Sequence, residues 1–307
     1  MAEIDLPLID VSQFPQELEF EGAHFQNHPE VAKLGEACKE WGFFRVVNHG
    51  IEPDLLQKVM SVSRDLLSMP AEVKERVQTY NAVQTYNRSE SFYFLDMPNP
   101  DLIQQISRKI WPEDGNSNFC LFLSDLQTKI TKSILASLGL DPRTFYQCDF
   151  EKCKATLFIN KYSCDEKCRI GDEALASHAD PGCLTILYND EMEGLEIRSK
   201  QGEWFNVRPA PDSFIVNLGD SMKAWSNGRY RSADHRVVYR GWMNRISLPF
   251  FITPPLDAQI WAPQELVDEN NPRRYKSFMF SQFLNGVTNT EAINGELPNA
   301  IEFLAGM

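Results

Sequence analysis

Residues 177–187 of the chain read SHADPGCLTIL, and the architecture follows from this stretch. His178 and Asp180 are two positions apart, and residues i and i+2 of a strand point to the same face, so both side chains can reach one ion. The apolar run that follows favours a strand, and Pro181-Gly182 turns or bulges the backbone directly after the pair. By itself, however, a His-x-Asp motif is common in surface loops and hydrogen-bonded pairs.

A third potential ligand lies in residues 232–239, SADHRVVY, where His235 precedes another strand pattern. His235 follows His178 by 57 residues and is the only other histidine in the C-terminal half of the chain. Two neutral imidazoles and one carboxylate on one face of a metal leave its other positions open, which suits non-haem Fe(II) oxygenases. We therefore predict that His178, Asp180 and His235 bind iron and form the catalytic centre.

Residues 244–251, NRISLPFF, place a cationic side chain on an apolar strand. Strand alternation puts Arg245 and Ser247 on one face. A buried arginine is costly unless it is paired. Its planar fork fits a carboxylate with two hydrogen bonds, and the Ser247 hydroxyl can add another. The pattern predicts a site for an acidic cosubstrate, with an internal Arg–Asp pair as the structural alternative.

These motifs together resemble the plant 2-oxoglutarate- and Fe(II)-dependent dioxygenases, in the small-molecule branch that includes gibberellin oxidases and auxin dioxygenases. That family has His-x-Asp, then a distal histidine, then Arg-x-Ser ten residues later, and the flanking segments LTIL, GEW, VNLGD and SNGRYRS also match. The N-terminal pattern ACKEWGFFRVVNHGI, followed by LLSMPAEVKERV, resembles the same family. The resemblance runs from about Leu6 to Pro255.

The resemblance implies an α+β fold with a double-stranded β-helix (jelly-roll) core flanked by helices. It implies Fe(II) on the three ligands above, and the 5-carboxylate of 2-oxoglutarate on Arg245 and Ser247. Asn160 and Tyr162, an Asn-x-Tyr pair on one face of the strand pattern KATLFINKY, complete the implied cosubstrate site. O2 is the implied second cosubstrate, and ascorbate is a candidate stimulant.

The implied reaction is hydroxylation or desaturation of a small plant metabolite, a hormone or a specialised metabolite, with release of succinate and CO2. Two alternatives stay open at this point. One is a metal-dependent hydrolase that uses zinc on the same triad. The other is a jelly-roll binding protein without catalysis.

Aromatic residues are the candidates for a substrate pocket. Residues 82–101 are aromatic and irregular, and we select Phe92 and Phe94 from them, although a buried strand is an equal alternative. Residues 273–284, RRYKSFMFSQFL, predict a C-terminal helix that places Phe278 over the pocket mouth or packs on the core. A carboxylate-bearing substrate would need a second cation. The candidates for it, each with a surface charge as the alternative, are Arg88, Arg108 and Arg231.

Composition limits the class of protein. The chain has 307 residues with 43% apolar residues, enough for a large core. A net charge of −13 argues against a nucleic-acid partner. No signal pattern or membrane-length apolar run is visible, so we expect a soluble cytoplasmic protein whose partner is a small-molecule substrate. The sequence does not predict an oligomeric state.

Seven scattered cysteines, including the pair Cys164-x3-Cys168, lack the spacing of zinc ribbons. We predict that they are reduced thiols. We divide the chain into an N-terminal region at 1–105, a helix plus catalytic core at 106–254, and a C-terminal helical extension at 255–307.

Overall fold

The computed structural model of the protein describes residues 2–15, 27–75, 80–81, 89–95, 117–164, 168–241, 244–289 and 300–306. Its α-helices are α1 (Pro29–Glu40), α2 (Pro53–Ser68), α3 (Ala71–Lys74), α4 (Ser117–Ser137), α5 (Pro142–Phe145), α6 (Asp220–Trp225), α7 (Phe280–Asn289) and α8 (Ala300–Ala305). Its strands are β1 (Ala2–Ile4), β2 (Leu8–Asp10), β3 (Phe43–Val47), β4 (Tyr80–Asn81), β5 (Ser89–Phe94), β6 (Lys154–Tyr162), β7 (Glu173–His178), β8 (Leu184–Asn189), β9 (Leu195–Arg198), β10 (Trp204–Val207), β11 (Phe214–Leu218), β12 (His235–Val238), β13 (Arg245–Thr253), β14 (Gln259–Ile260) and β15 (Phe278–Met279).

Two mixed sheets pack together to form the core of the fold. Within the described residues, the larger sheet has the strand order β2-β3-β11-β8-β13-β6-β5-β4, and the smaller has the order β1-β10-β9-β12-β7. Most neighbouring strands are antiparallel, and the apolar side chains of Phe43, Ile215, Leu195 and Ile197 meet between the sheets. This architecture, with helices packed outside, confirms the predicted α+β jelly roll.

The N-terminal segment supplies strands at both flanks of the larger sheet. On one side β3 pairs with β11, and on the other β5 pairs with β6. The division of the chain at residues 105 and 254 stays a prediction, but the first two predicted regions share one continuous sheet. The described residues therefore place N-terminal strands beside the strands that carry the predicted site.

Helices cover the outer face of the larger sheet. As predicted, α1 buries Val31, Leu34, Ala37 and Cys38. The long helix α4 is followed by Gly139, whose φ of +78° lies in the left-handed region that favours glycine. His49 caps a turn, as the Asn-His-Gly pattern indicates, because its Nδ1 accepts a hydrogen bond from the Ile51 amide at 3.1 Å. The buried face of α1, the glycine after α4 and the turn at His49 are therefore found where the sequence predicts them.

The C-terminal segment differs from the predicted helix at 273–284. The helix α7 begins only at Phe280, whereas Phe278 and Met279 form a short strand with β14. The amide of Lys276 donates to the carbonyl of Ala305, and the amide of Phe280 donates to that of Ala258. Because distant carbonyls take these donors, the first part of the segment is extended instead of helical.

The cysteines also differ from the prediction in one pair. Cys164 and Cys168 form a disulfide, so the prediction of reduced thiols is wrong for them. The other cysteines are free: Cys38, Cys120, Cys148, Cys153 and Cys183. No helix within the described ranges is both long enough and apolar enough to cross a bilayer.

Candidate metal and cosubstrate site

Three potential metal ligands converge where β7 and β12 pair. His178 ends β7, His235 begins β12, and the two are directly opposite in the register, with ring centroids 4.3 Å apart. Asp180 Oδ1 lies 3.7 Å from the Nε2 atom of each histidine. The ligand atoms of all three residues lie within 4.8 Å of one another. Two imidazoles and a carboxylate at these distances fit an Fe(II) centre.

Asp180 reaches the site by a route that strand alternation did not predict. It follows the end of β7 and lies in a loop, not on the strand. The carbonyl of Asp180 accepts a hydrogen bond from the Asp220 amide at 2.8 Å, and the Pro181 carbonyl accepts one from the Ser221 hydroxyl at 2.6 Å. The first turn of α6 therefore holds the loop that presents the carboxylate.

Both histidines present the same nitrogen to the cavity. His178 Nδ1 lies 2.8 Å from the Ala176 carbonyl, and His235 Nδ1 lies 3.2 Å from the Ala233 carbonyl. Because a carbonyl only accepts, each Nδ1 carries the proton and donates. Each Nε2 therefore keeps its lone pair for a metal.

Burial sets the charge state of the ligands. Burial, together with the nearby His178 imidazole, lowers the pKa of His235 to about 4, so His235 is neutral at neutral pH. Burial by itself would raise the pKa of Asp180. The two imidazoles and two hydrogen bonds outweigh that effect, and the pKa lies below its ordinary value. A neutral imidazole and an ionised carboxylate are the forms that bind metals.

The predicted cosubstrate residues line the same cavity as the triad. Arg245 and Ser247 lie on β13, directly opposite Tyr162 and Asn160 on β6, so all four share one face of the sheet. The cavity is polar at this end, and its wall beside the metal ligands is apolar except for Thr185 and Asn217. The lining apolar side chains are Phe43, Leu175, Leu187, Leu195, Val237, Pro249 and Phe251.

Arg245 is a buried cation without an ion-pair partner among the described residues. Its side chain is 5% exposed, its Nε has no hydrogen-bond partner there, and its guanidinium lies 5.6 Å from the centre of the Tyr162 ring. Asp190 is the nearby carboxylate, but it accepts from the amides of Ile246 and Met192. Arg245 therefore forms no internal Arg–Asp pair within the described residues, and the carboxylate of a ligand is the partner that suits this buried charge.

The aromatic residues predicted for a substrate pocket lie elsewhere. Phe92 and Phe94 are 0% and 1% exposed and pack in the core beneath the sheet. Phe278 packs against Phe283, with ring centroids 5.1 Å apart. None of the three lines the cavity.

Arg231, one of the three candidate cations for a substrate carboxylate, donates to the carbonyls of Arg198 and Glu40 instead of facing the cavity. The other two candidate cations, Arg88 and Arg108, lie outside the described residues.

Three different aromatic residues lie on the cavity face of the larger sheet. Tyr93 of β5 stacks on Phe158 of β6 at 5.8 Å between ring centroids, and Phe158 contacts Phe251 of β13 at 5.4 Å. All three rings are half-buried, and Phe251 lines the cavity. We call this row the aromatic stripe. Alternation in the sequence separates Tyr93 from Phe92 and Phe94, but only the pairing of Ser91 with Asn160 shows which set faces the site.

Comparisons with known proteins match both halves of the chain. Residues 153–254 match the 2OG-Fe(II) oxygenase superfamily, and residues 6–116 match the N-terminal region described as non-haem dioxygenase in morphine synthesis. Gibberellin 20 oxidase 1 of Oryza sativa subsp. japonica is 30% identical over 92% of this chain and 80% of its own length. Jasmonate-induced oxygenase 2 of Arabidopsis thaliana is 34% identical over 82% of this chain and 72% of its own length.

Solved structures have the same fold. The rice dioxygenase for auxin oxidation superposes with a TM-score of 0.82 at 28% identity, covering 98% of this chain and all of that one. A complex of JOX2 with 2OG, Fe and JA superposes with a TM-score of 0.77 at 28% identity, covering 98% of this chain and 89% of the other.

Proposed function

The chain belongs to the 2OG-Fe(II) oxygenase superfamily, and on that premise we propose that His178, Asp180 and His235 hold its iron while Arg245 holds 2-oxoglutarate. The protein is a 2-oxoglutarate-dependent Fe(II) dioxygenase, an oxidoreductase that oxidises a small molecule and converts the cosubstrate to succinate and CO2. The observation that carries the residue assignment is the buried, unpaired Arg245 in the same cavity as the triad.

The cosubstrate end of the cavity offers several donors to one carboxylate. Arg245 supplies the charge, and Ser247 and Tyr162 supply hydroxyl groups. Burial raises the pKa of Tyr162, with Arg245 and hydrogen bonds from Ser247 and Asn160 opposing that rise, so its hydroxyl stays protonated and can donate. The Asn160 Oδ1 accepts from the Ser91 hydroxyl at 2.7 Å, which fixes the amide. These contacts support bidentate, charge-assisted hydrogen bonding to the 5-carboxylate of 2-oxoglutarate.

The chain's own contribution to the reaction is orientation and exclusion of water. Iron together with 2-oxoglutarate and O2 supplies the oxidising chemistry when bound. The two imidazoles and Asp180 present their ligand atoms toward one point. The apolar wall, which includes Phe43, Leu195 and Val237, keeps bulk water from the reacting atoms.

For the substrate we propose a small plant metabolite, a hormone or a specialised metabolite, with an apolar ring-sized body. The relatives named above include a gibberellin 20 oxidase, a jasmonate-induced oxygenase and a dioxygenase for auxin oxidation, and their source organisms are plants. In this chain the aromatic stripe leads into the cavity at Phe251 and offers ring faces and edges to such a body. Among the cavity-lining residues of the described chain, Arg245 is the sole arginine or lysine.

The test is anaerobic reconstitution of the apoprotein with Fe(II), followed by 2-oxoglutarate and a visible spectrum. We expect a weak metal-to-ligand charge-transfer band, which His235→Ala and Arg245→Met should each abolish. Succinate release with candidate metabolites then identifies the substrate. Absence of the band in the wild-type protein, with neither Fe(II) nor 2-oxoglutarate bound, would refute the assignment. Zinc-supported activity without O2 would favour a hydrolase.

We also propose a cytoplasmic location. The five free cysteines favour it, because thiols stay reduced in that compartment, whereas the Cys164–Cys168 disulfide does not favour it. Imaging a fluorescent fusion in plant cells would check the proposal, and accumulation in a secretory compartment would contradict it.

A further inference from the structure

The two oxygens of the Asp180 carboxylate have different surroundings. Oδ1 lies 3.7 Å from both imidazole Nε2 atoms, toward the point where the three ligands converge. Oδ2 accepts two hydrogen bonds, one from Thr185 Oγ1 at 2.5 Å and one from Asn217 Nδ2 at 2.7 Å. The carboxylate is thus held from one side by protein donors and open on the other.

The two donors are built into the sheet. Thr185 lies on β8 and Asn217 on β11, and they are directly opposite in the antiparallel register, so both side chains leave the same face side by side. Thr185 is 4% exposed and Asn217 is 3% exposed. Rotating the carboxylate so that Oδ2 turned to the cavity would break two buried, charge-assisted hydrogen bonds at once.

We propose that Thr185 and Asn217 are positioning residues that select which oxygen of Asp180 binds iron. They occupy Oδ2, so Asp180 ligates through Oδ1 alone. A carboxylate that ligates through one oxygen takes one position on the metal and leaves the remaining positions for 2-oxoglutarate and O2. A carboxylate that ligates through both oxygens takes a position that these two need. This inference rests on the proposed iron site and adds to it the pair of residues that keeps its open positions open.

The test distinguishes the effect of losing the Thr185 hydroxyl from the effect of changing the volume of its side chain. Thr185→Val removes the hydroxyl at constant shape, Thr185→Ala removes it without any risk of overpacking, and Thr185→Ser keeps it. Asn217→Leu removes the second donor. Thr131→Val is the matched control, because Thr131 is also buried and hydrogen-bonded, to Gln127 at 3.1 Å on α4. Circular dichroism establishes that each variant is folded.

Two measurements, both made without O2 and without turnover, test the effect of these substitutions on the metal site. Chelator competition gives the Fe(II) affinity, and the visible spectrum of the Co(II)-substituted protein reports the coordination number. We expect Thr185→Val, Thr185→Ala and Asn217→Leu to bind Fe(II) about 10- to 100-fold more weakly, with changed Co(II) band intensity. Thr185→Ser and Thr131→Val should match the wild-type protein in both.

Wild-type affinity and an unchanged Co(II) spectrum in the variants that lack a donor would overturn the inference. So would a Thr185→Ser variant as weak as Thr185→Val, because packing and not the hydroxyl would then be responsible. A wild-type protein that binds no Fe(II) would overturn the proposed function itself, and the role of Thr185 and Asn217 with it. The two failures are therefore distinguishable.

Discussion

Replacing Arg245 with methionine removes a buried cation and keeps an unbranched side chain. In the protein without 2-oxoglutarate, burial lowers the pKa of Arg245, which means that the charge is held at a cost in free energy. No ion pair in the described residues compensates for it, and the effective penalty for such an ion is several kcal/mol. We therefore expect Arg245→Met to be at least as stable as the wild-type protein when no cosubstrate is present.

Added 2-oxoglutarate should stabilise Arg245→Met far less than it stabilises the wild-type protein. Losing one partner of a buried ion pair costs about 3–5 kcal/mol. That cost weakens binding by roughly two to four orders of magnitude. At 100 times the wild-type Kd, the cosubstrate stabilises the wild-type protein by about 2.7 kcal/mol. A variant with a 100-fold higher Kd gains only about 0.4 kcal/mol at that concentration.

The assay is thermal unfolding with Fe(II) under nitrogen, with and without 2-oxoglutarate. Arg231→Met is the control, since Arg231 is also partly buried but donates to backbone carbonyls away from the cavity. It should lose stability in both conditions and keep the full shift with 2-oxoglutarate. An Arg245→Met protein that keeps the full shift, or that is destabilised without ligand as much as the control, would refute the reasoning.

Further predictions concern the ligands, the substrate and pH. His178→Ala, Asp180→Ala and His235→Ala should each abolish succinate release with native circular dichroism; full activity in one variant would remove that residue from the site. Phe158→Ala should raise the KM for the substrate about tenfold, from the loss of about 1.5 kcal/mol of apolar contact, and leave 2-oxoglutarate affinity unchanged; an unaltered KM would place the substrate elsewhere. Burial raises the pKa of Asp220 to about 7 from 3.8, so between these values the folded state binds more protons than the unfolded state. Its contribution to the free energy of unfolding therefore falls as pH rises from about 4 to 7. Asp220→Asn should remove that fall, giving a higher Tm than the wild-type protein at pH 8 and a similar Tm at pH 4; a lower Tm at pH 8 would contradict the assignment.

The features predicted well from sequence are those whose cause is local. Alternation on KATLFINKY and RISLPFF places Asn160, Tyr162, Arg245 and Ser247 on shared faces, and the structure pairs them across β6 and β13. The start of α2 at Pro53 follows from the preference of proline for the first turn of a helix. Short-range patterns were sufficient for these elements, because neighbours in the chain decide them.

The features missed depend on contacts between distant segments. Alternation divides Phe92 and Phe94 from Tyr93, but the register between β5 and β6 decides which set faces the cavity. The late start of α7 depends on two distant hydrogen bonds. The Phe280 amide donates to the Ala258 carbonyl, and the Ser281 amide donates to the Leu256 carbonyl. Thr185 and Asn217 look like ordinary strand residues in the sequence, since nothing nearby shows that the Asp180 carboxylate lies between them. Such pairings are nonlocal, and propensity does not encode them.

The pairing of β3 with β11 also affects how the protein is synthesised. Phe43 pairs with Asn217, so an early strand waits for a partner that leaves the ribosome more than 170 residues later. Arg245 follows later still. Sheets that close over such sequence distances fold slowly and expose strand edges meanwhile. A nascent or truncated chain that ends before β11 therefore presents the apolar edge of β3 to other chains, and aggregation is its expected fate. The proposed iron site can form only after His235 has left the ribosome, because this histidine lies 57 residues beyond His178.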